Sequence, residues 1–198
     1  MKPDILPNGE LFDVFRCRNL VWWSNAEPEY TTDRTGLYSE WMKRIHLPDT
    51  TGKIVCEVCP GAYGGILHAM NFTCKEKIYI DLLMDDFIEL AYIRWPKALY
   101  INAPVEDMPI DDNAADILIG FNSLCHGWDI YTAIRECMRI SKECYLSFDC
   151  RNKNDKDHYQ HIDHEKIIEF IYGLNCSKCV CVARDGNNLV NIDLVIKK

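Results

Sequence analysis

The chain has 198 residues, 48% hydrophobic and 26% charged, with 22 Lys and Arg against 30 Asp and Glu for a formal net charge of -8. That length suits one sizeable core with room for a small cap, and no apolar run approaches the roughly 20 residues that cross a bilayer, so no membrane partner is expected. The cations are scattered rather than gathered in a stripe, which disfavours nucleic acid as the main partner.

The opening MKPDILPNGELFDVF lacks the charged end and apolar core of a secretory leader, and a cytoplasmic location is the expectation. The cysteine count of 11 is odd, and in that setting the thiols read as reduced, several of them packed as small apolar side chains.

Residues 1–50 differ from the rest. Leu37, Trp41 and Ile45 recur at four-residue spacing, which predicts one helix face, with a start at Thr35–Gly36 and an end before Pro48. Among the aromatics Trp22, Trp23, Tyr30, Tyr38 and Trp41, some suit a lid over a ligand and some suit core; for Trp41 core is favoured. Residues 1–50 are therefore expected to form an N-terminal helical cap on residues 51–198, the two making one structural unit.

From Lys53 the pattern alternates. KIVCEVC reads as a strand, GGILHAMNF as a helix, KIYIDLL as a strand and MDDFIELAYIRW as a helix. ALYINAP, ADILIGFNS and ECYLSFDC are further strands, and DIYTAIRECMRIS is a helix with Ile130, Ala133, Ile134, Cys137 and Met138 facing inward. After a last helix, HEKIIEFIYGLN, the runs KCVCVARD and LVNIDLVIKK flank GNN and read as a hairpin. Strands alternating with helices predict an α/β fold with a mostly parallel sheet covered on both faces.

Four features fall at the C-terminal ends of successive strands, where open α/β sheets bind ligands. The turn CPGAYGG follows Glu57 and offers backbone amides and a helix N-terminus. Asp81 ends the second strand, where a carboxylate accepts ribose hydroxyls or caps the next helix. PVEDMPIDDNAAD follows the third strand and reads as an adenine edge or as a solvated acidic loop. GFNSLCHGWD, after the fourth strand, brings Asn122 and His126 to the mouth of the sheet.

The order of these motifs resembles that of the class I S-adenosylmethionine-dependent methyltransferases over residues 53–149. VEDMPIDDNAADILIGFNSLCHGWDIYTAIRECMRIS is similar to the family's acidic loop, fourth strand and following helix; EVCPGAYGG and IDLLMDDF are similar to its first two motifs. The resemblance implies a Rossmann-like three-layer sandwich with a seven-stranded, mostly parallel sheet closed by an antiparallel C-terminal hairpin. It implies S-adenosylmethionine as cofactor, with Glu57, Cys59, Gly61, Tyr63 and Gly64 at its methionine part and Asp81 at its ribose. Leu82 is then expected beside the adenine, with Glu106, Asp107 and Met108 at the adenine edge and Asn122 near the amino-acid end. His126 and Asp149 are the candidate base or acceptor contacts, each also readable as a side chain without such a role.

The resemblance implies methyl transfer, and the lack of a basic stripe and of a large recognition insert makes a small molecule, a sugar or other metabolite, the expected acceptor. Two departures from the family pattern are Cys59 in place of the first motif glycine and Tyr63 with Gly64 displaced by one. They favour, as an alternative, a non-catalytic binding or regulatory module; transfer of another group from the same cofactor is a second alternative that the sequence does not separate from methyl transfer. His158, His161 and His164 fall at three-residue spacing, which could gather them for a metal, but surface histidines are common and no metal site is expected; the resemblance implies instead an acceptor contact for His158 or His161. Cys176, Cys179 and Cys181 lack a second pair to complete four ligands and read as packed thiols. Nothing in the sequence sets the oligomeric state.

Overall fold

In the β1 strand, Ile54–Val58, successive side chains enter opposite faces of a sheet, and both faces are buried. Val55 joins one core with Ile117 and Ile119, whereas Cys56 and Val58 join another with Leu118 and Leu146. The computed structural model describes residues 11–25, 29–89, 98–150, 162–174, 178–186 and 189–198.

The other strands are β2 (Glu76–Asp81), β3 (Leu99–Asn102), β4 (Ala115–Phe121), β5 (Ser141–Cys150), β6 (Lys178–Gly186) and β7 (Leu189–Lys197). They form one seven-stranded sheet in the order β3-β2-β1-β4-β5-β7-β6. β1 to β5 pair in parallel, while β7 lies antiparallel between β5 and β6, as the hairpin reading expects. The strand order reverses direction between β1 and β4, creating a crevice at their C-terminal ends.

Helices cover both faces. α5 (Ile130–Ile140) turns Ile130, Ala133, Ile134 and Cys137 into the first core, with Met138 packed at its border, and α6 (His164–Tyr172) adds Ile167 and Ile171. Asp129 caps α5, accepting the Tyr131 N–H at 3.1 Å, and Asp163 does the same for α6 at Glu165. On the opposite face lie α2 (Glu29–Ile45) and α3 (Gly65–Ala69). α4 (Met84–Glu89) follows β2, and α1 (Phe12–Asn25) packs on it through Phe12, Phe15, Leu83 and Phe87.

α2 corrects two expectations. It begins six residues before Thr35, and Leu37 is 56% exposed, so Leu37 does not share the inward face. Tyr38, Trp41 and Ile45 form that face instead, at helical spacings of three and four. Trp41 is core, as expected: it is fully buried, and its indole N–H donates to Asp193 Oδ1 on β7 at 3.1 Å. Arg44 also pairs with Asp193, so a buried carboxylate on the sheet is answered by two groups of α2.

His158, His161 and Cys176 lie outside the described residues, as do the side chains of Tyr30, His164, Cys179 and Cys181. Among the described residues, no helix is long and apolar enough to cross a membrane.

Candidate functional site

The turn after β1 holds the chain in left-handed backbone at several points. Cys59 has φ 50°, and Gly61, Gly64 and Gly65 have φ 68°, 80° and 53°. For the glycines this conformation is free of Cβ strain; for Cys59 it costs on the order of 1–2 kcal/mol. Cys59 keeps that conformation because its N–H donates to the Ile80 carbonyl at 2.7 Å, locking the end of β1 to β2.

Glu57 lies beneath the turn, 2% exposed. Its Oε1 accepts the Ile66 N–H at 2.6 Å and its Oε2 the Leu67 N–H at 2.9 Å, so it answers the open amides at the start of α3. Burial pushes its carboxyl up to about 8, against the pull of those two amides and of Lys77. A Cβ on Gly65 would overlap Glu57 Oε1. Gly64 stands at the N-cap of α3, and its N–H donates to the Gly61 carbonyl at 3.3 Å.

Asp81, at the end of β2, joins two parts of the site. Its Oδ2 accepts the Gly61 N–H at 3.2 Å and its Oδ1 the Leu83 N–H at 3.0 Å. The second bond is the helix-capping role open to it from sequence; the first ties it to the glycine turn. Burial raises the Asp81 carboxyl, opposed by these amides and by the nearby charge of His126. Leu82 packs in the cluster that also holds Ala62, Trp23 and Trp128.

Glu106 is partly buried, and its Oε1 accepts the N–H of Trp128 at 2.5 Å and of Asp129 at 3.2 Å. It thereby shapes the loop that follows His126. Asp107 is exposed, whereas the Met108 side chain is 2% exposed and lies within the core. Asn122 has φ 51°, donates its N–H to the Ser147 carbonyl at 2.7 Å and lies at the end of β4. His126 is exposed at the end of a 3-10 turn, Leu124–His126. Asp149 is half-buried near the end of β5, in register with Asn191 on β7.

Two features have little local signature. Trp23 of α1 covers the turn: a Cβ on Gly61 would overlap its ring, and the Tyr63 hydroxyl donates to the Trp23 carbonyl at 3.1 Å. A small pocket beside it is lined by Trp23, Arg34, Tyr38, Pro60, Tyr63 and Gly65. The sequence marks Trp23 and Tyr38 only as aromatics in an irregular segment, and it does not mark Arg34. Ser123 is a third case: it is 2% exposed, and its Oγ has no hydrogen-bond partner among the described residues.

The site thus combines a glycine turn, a carboxylate at the end of the neighbouring strand, and a histidine and an asparagine beyond β4. This donor set suits a ligand carrying a vicinal diol. A carboxylate has about four acceptor directions, and Asp81 uses two of them on backbone amides.

Comparison with known proteins agrees. Residues 59–144 match the family model described as a methyltransferase domain. Two Mycobacterium tuberculosis proteins, from strains CDC 1551 / Oshkosh and ATCC 25618 / H37Rv, are named as probable S-adenosylmethionine-dependent methyltransferases. Each is 26% identical over 121 residues, covering 57% of this chain and 42% of the relative, so the match spans less than half the length of these curated relatives. A solved Bacillus halodurans C-125 protein described as a methyltransferase has a TM-score of 0.60 at 14% identity, covering 81% of this chain and 98% of its own. The [4+2]-cyclase SpnF has the same fold at a TM-score of 0.58 and 14% identity, covering 82% of this chain and 80% of its own. Motif order, strand order and the domain match over residues 59–144 agree: the chain is similar to the class I S-adenosylmethionine-dependent methyltransferases and shares their fold.

Proposed function

We propose that the protein binds S-adenosylmethionine at the crevice between β1 and β4 and transfers its methyl group to a small molecule. The carrying observation is the Asp81 carboxylate, held at the end of β2 by the Gly61 N–H of the turn after β1. Asp81 would accept the ribose hydroxyls and Leu82 would border the adenine, with Glu106, Asp107 and Met108 on the loop beyond it. Glu57, Cys59, Gly61, Tyr63 and Gly64 would shape the methionine end, and Asn122 would close it from β4.

Bound there, the cofactor supplies an electrophilic methyl group on a sulfonium. The chain's task is then to align an acceptor and, where the acceptor must lose a proton, to take it up. His126 is exposed near Asp81 and is suited to that base role; Asp149, on β5, is the second candidate. The small acceptor is favoured by the net charge of -8 without a basic stripe. Residues 1–50 read as a helical cap that borders the site through Trp23, Arg34 and Tyr38.

Titration calorimetry with S-adenosylmethionine and S-adenosylhomocysteine tests the cofactor reading: one saturable site is expected, and no heat of binding would refute it. Release of S-adenosylhomocysteine across a panel of hydroxyl, amine and carboxylate acceptors tests the transfer.

A second reading is a binding module without turnover. Trp23 against Gly61 and the left-handed Cys59 favour it. Binding without product release on any acceptor would select it. SpnF, a cyclase on the same fold, supports keeping transfer or chemistry of another kind as a third outcome of that panel.

A further inference from the structure

Helix α1 is placed across the mouth of the site rather than on the sheet. Its inner residues Phe12, Phe15, Leu20 and Trp23 pack on Ala62, Leu82, Leu83, Phe87 and Trp128, a cluster separate from the two sheet cores. Two of those partners flank the crevice: Leu82 follows Asp81, and Trp128 follows His126 by two residues. The Trp23 ring meets Tyr63 and Phe87 edge-on at centroid distances of 5.6 and 6.0 Å and occupies the open side of Gly61.

Besides the Tyr63 hydroxyl, which donates to the Trp23 carbonyl, a charged clasp holds this helix down. Arg16 Nε donates to both oxygens of Asp86 at 2.9 Å, and its Nη2 also pairs with Oδ1. Asp86 belongs to α4 and is 4% exposed, so the charge pair is largely shielded from solvent on the Asp86 side. The outer face of α1 carries Val14, Val21 and Trp22, all exposed, and Leu11 just before the helix is exposed as well. Lifting α1 therefore disturbs neither sheet core, a property of elements at the low-stability end of a fold.

We propose that α1 is a lid latched by Arg16 and Asp86, whose Trp23 covers Gly61 and must move aside before a ligand reaches the turn and Asp81. The lid rests on the functional reading above for the identity of that ligand, but its opening is a property of the chain alone. Its function is gating: the clasp sets how often the turn is uncovered, and the ligand's contacts with the turn then hold the uncovered state.

The test joins amide hydrogen exchange with S-adenosylhomocysteine binding kinetics on the full chain. Three proteins are compared with the wild type: Arg16→Met, Trp23→Ala, and Arg16→Met with Asp86→Asn, which leaves no buried unpaired charge. Amides of residues 12–23 are expected to exchange several-fold faster than those of β1 and β4. They should speed up further in both clasp variants while the strands stay unchanged. S-adenosylhomocysteine should associate several-fold faster in all three variants.

Exchange of α1 only in step with β4 would overturn the lid. So would a weakened complex in Trp23→Ala with an unchanged association rate in the clasp variants, since Trp23 would then be a wall of the site. If no protein binds S-adenosylhomocysteine, the functional reading fails by itself, and the exchange data still decide whether α1 opens.

Discussion

Glu57 fills the space in front of Gly65 so closely that a Cβ on Gly65 would overlap its Oε1. Gly65 also has φ 53°. Gly65→Ala is therefore expected to destabilise the fold by about 2 kcal/mol or more, from strain and overlap together. Gly36, on the exposed side of α2, is the contrast, because a Cβ there would meet nothing within 4 Å. Gly36→Ala should stabilise by about 0.5–1 kcal/mol through helix propensity. Urea unfolding of both variants checks the opposite signs.

The buried Glu57 carboxyl also makes stability depend on pH. Its folded value, about 8, lies above the ordinary 4.5 because burial disfavours the charge. Between those values the folded chain retains a proton that the unfolded chain has lost, so stability falls as pH rises through this window. The slope from this group is at most about 1.4 kcal/mol per pH unit. Unfolding curves from pH 5 to 8 should show the decline, and Glu57→Gln should flatten it.

Asp81 serves both the turn and the start of α4. Asp81→Ala should weaken S-adenosylhomocysteine binding at least about tenfold, the loss of a charge-assisted bond pair to a diol. It should also cost about 1 kcal/mol of stability through the lost bond to Leu83. Asp81→Asn keeps an acceptor for one amide, so it should recover most of the stability and little of the affinity. Calorimetry alongside urea unfolding separates the two effects; unchanged affinity in both variants would remove Asp81 from the site.

Cys59 tests the cost of the missing motif glycine. A β-branched side chain tolerates left-handed backbone least, so Cys59→Val should be less stable than Cys59→Gly by about 2 kcal/mol. The same pair of variants reports on the site, because the N–H of residue 59 locks β1 to β2 beside Asp81. If the two variants unfold at the same urea concentration, the backbone at this position is not strained.

Much of the architecture was legible because its signals are local. Runs such as IVCEV and ADILIGF are apolar on both faces, and DIYTAIRECMRI carries apolar residues at helical spacing. Each of these segments forms the expected element. The hairpin was also legible, since two strand-like runs flank a Gly-Asn-rich stretch, and β6 and β7 pair antiparallel, with Gly186 ending β6 rather than lying in the turn. The start of α2 was not, because EYTTDR carries no apolar stripe to mark a helix face, and Leu37 was assigned to the wrong side. For the site, position at a strand end pointed to Asp81, Asn122 and His126. Which oxygen of Asp81 meets which amide had no such marker.

The sequence by itself determined the order of strands and helices and the faces most of them bury, since apolar periodicity is a property of neighbouring residues. Only the tertiary structure decided the polar pairings: Trp41 and Arg44 with Asp193, Arg16 with Asp86, and Glu106 with the amides of Trp128 and Asp129. The reason is chain distance. Asp193 lies 152 residues from Trp41 and Asp86 lies 70 from Arg16, and a lone carboxylate carries no mark of the partner it will meet. The cover that Trp23 places over Gly61 is of the same kind, a contact that exists only once α1 crosses the mouth of the folded sheet.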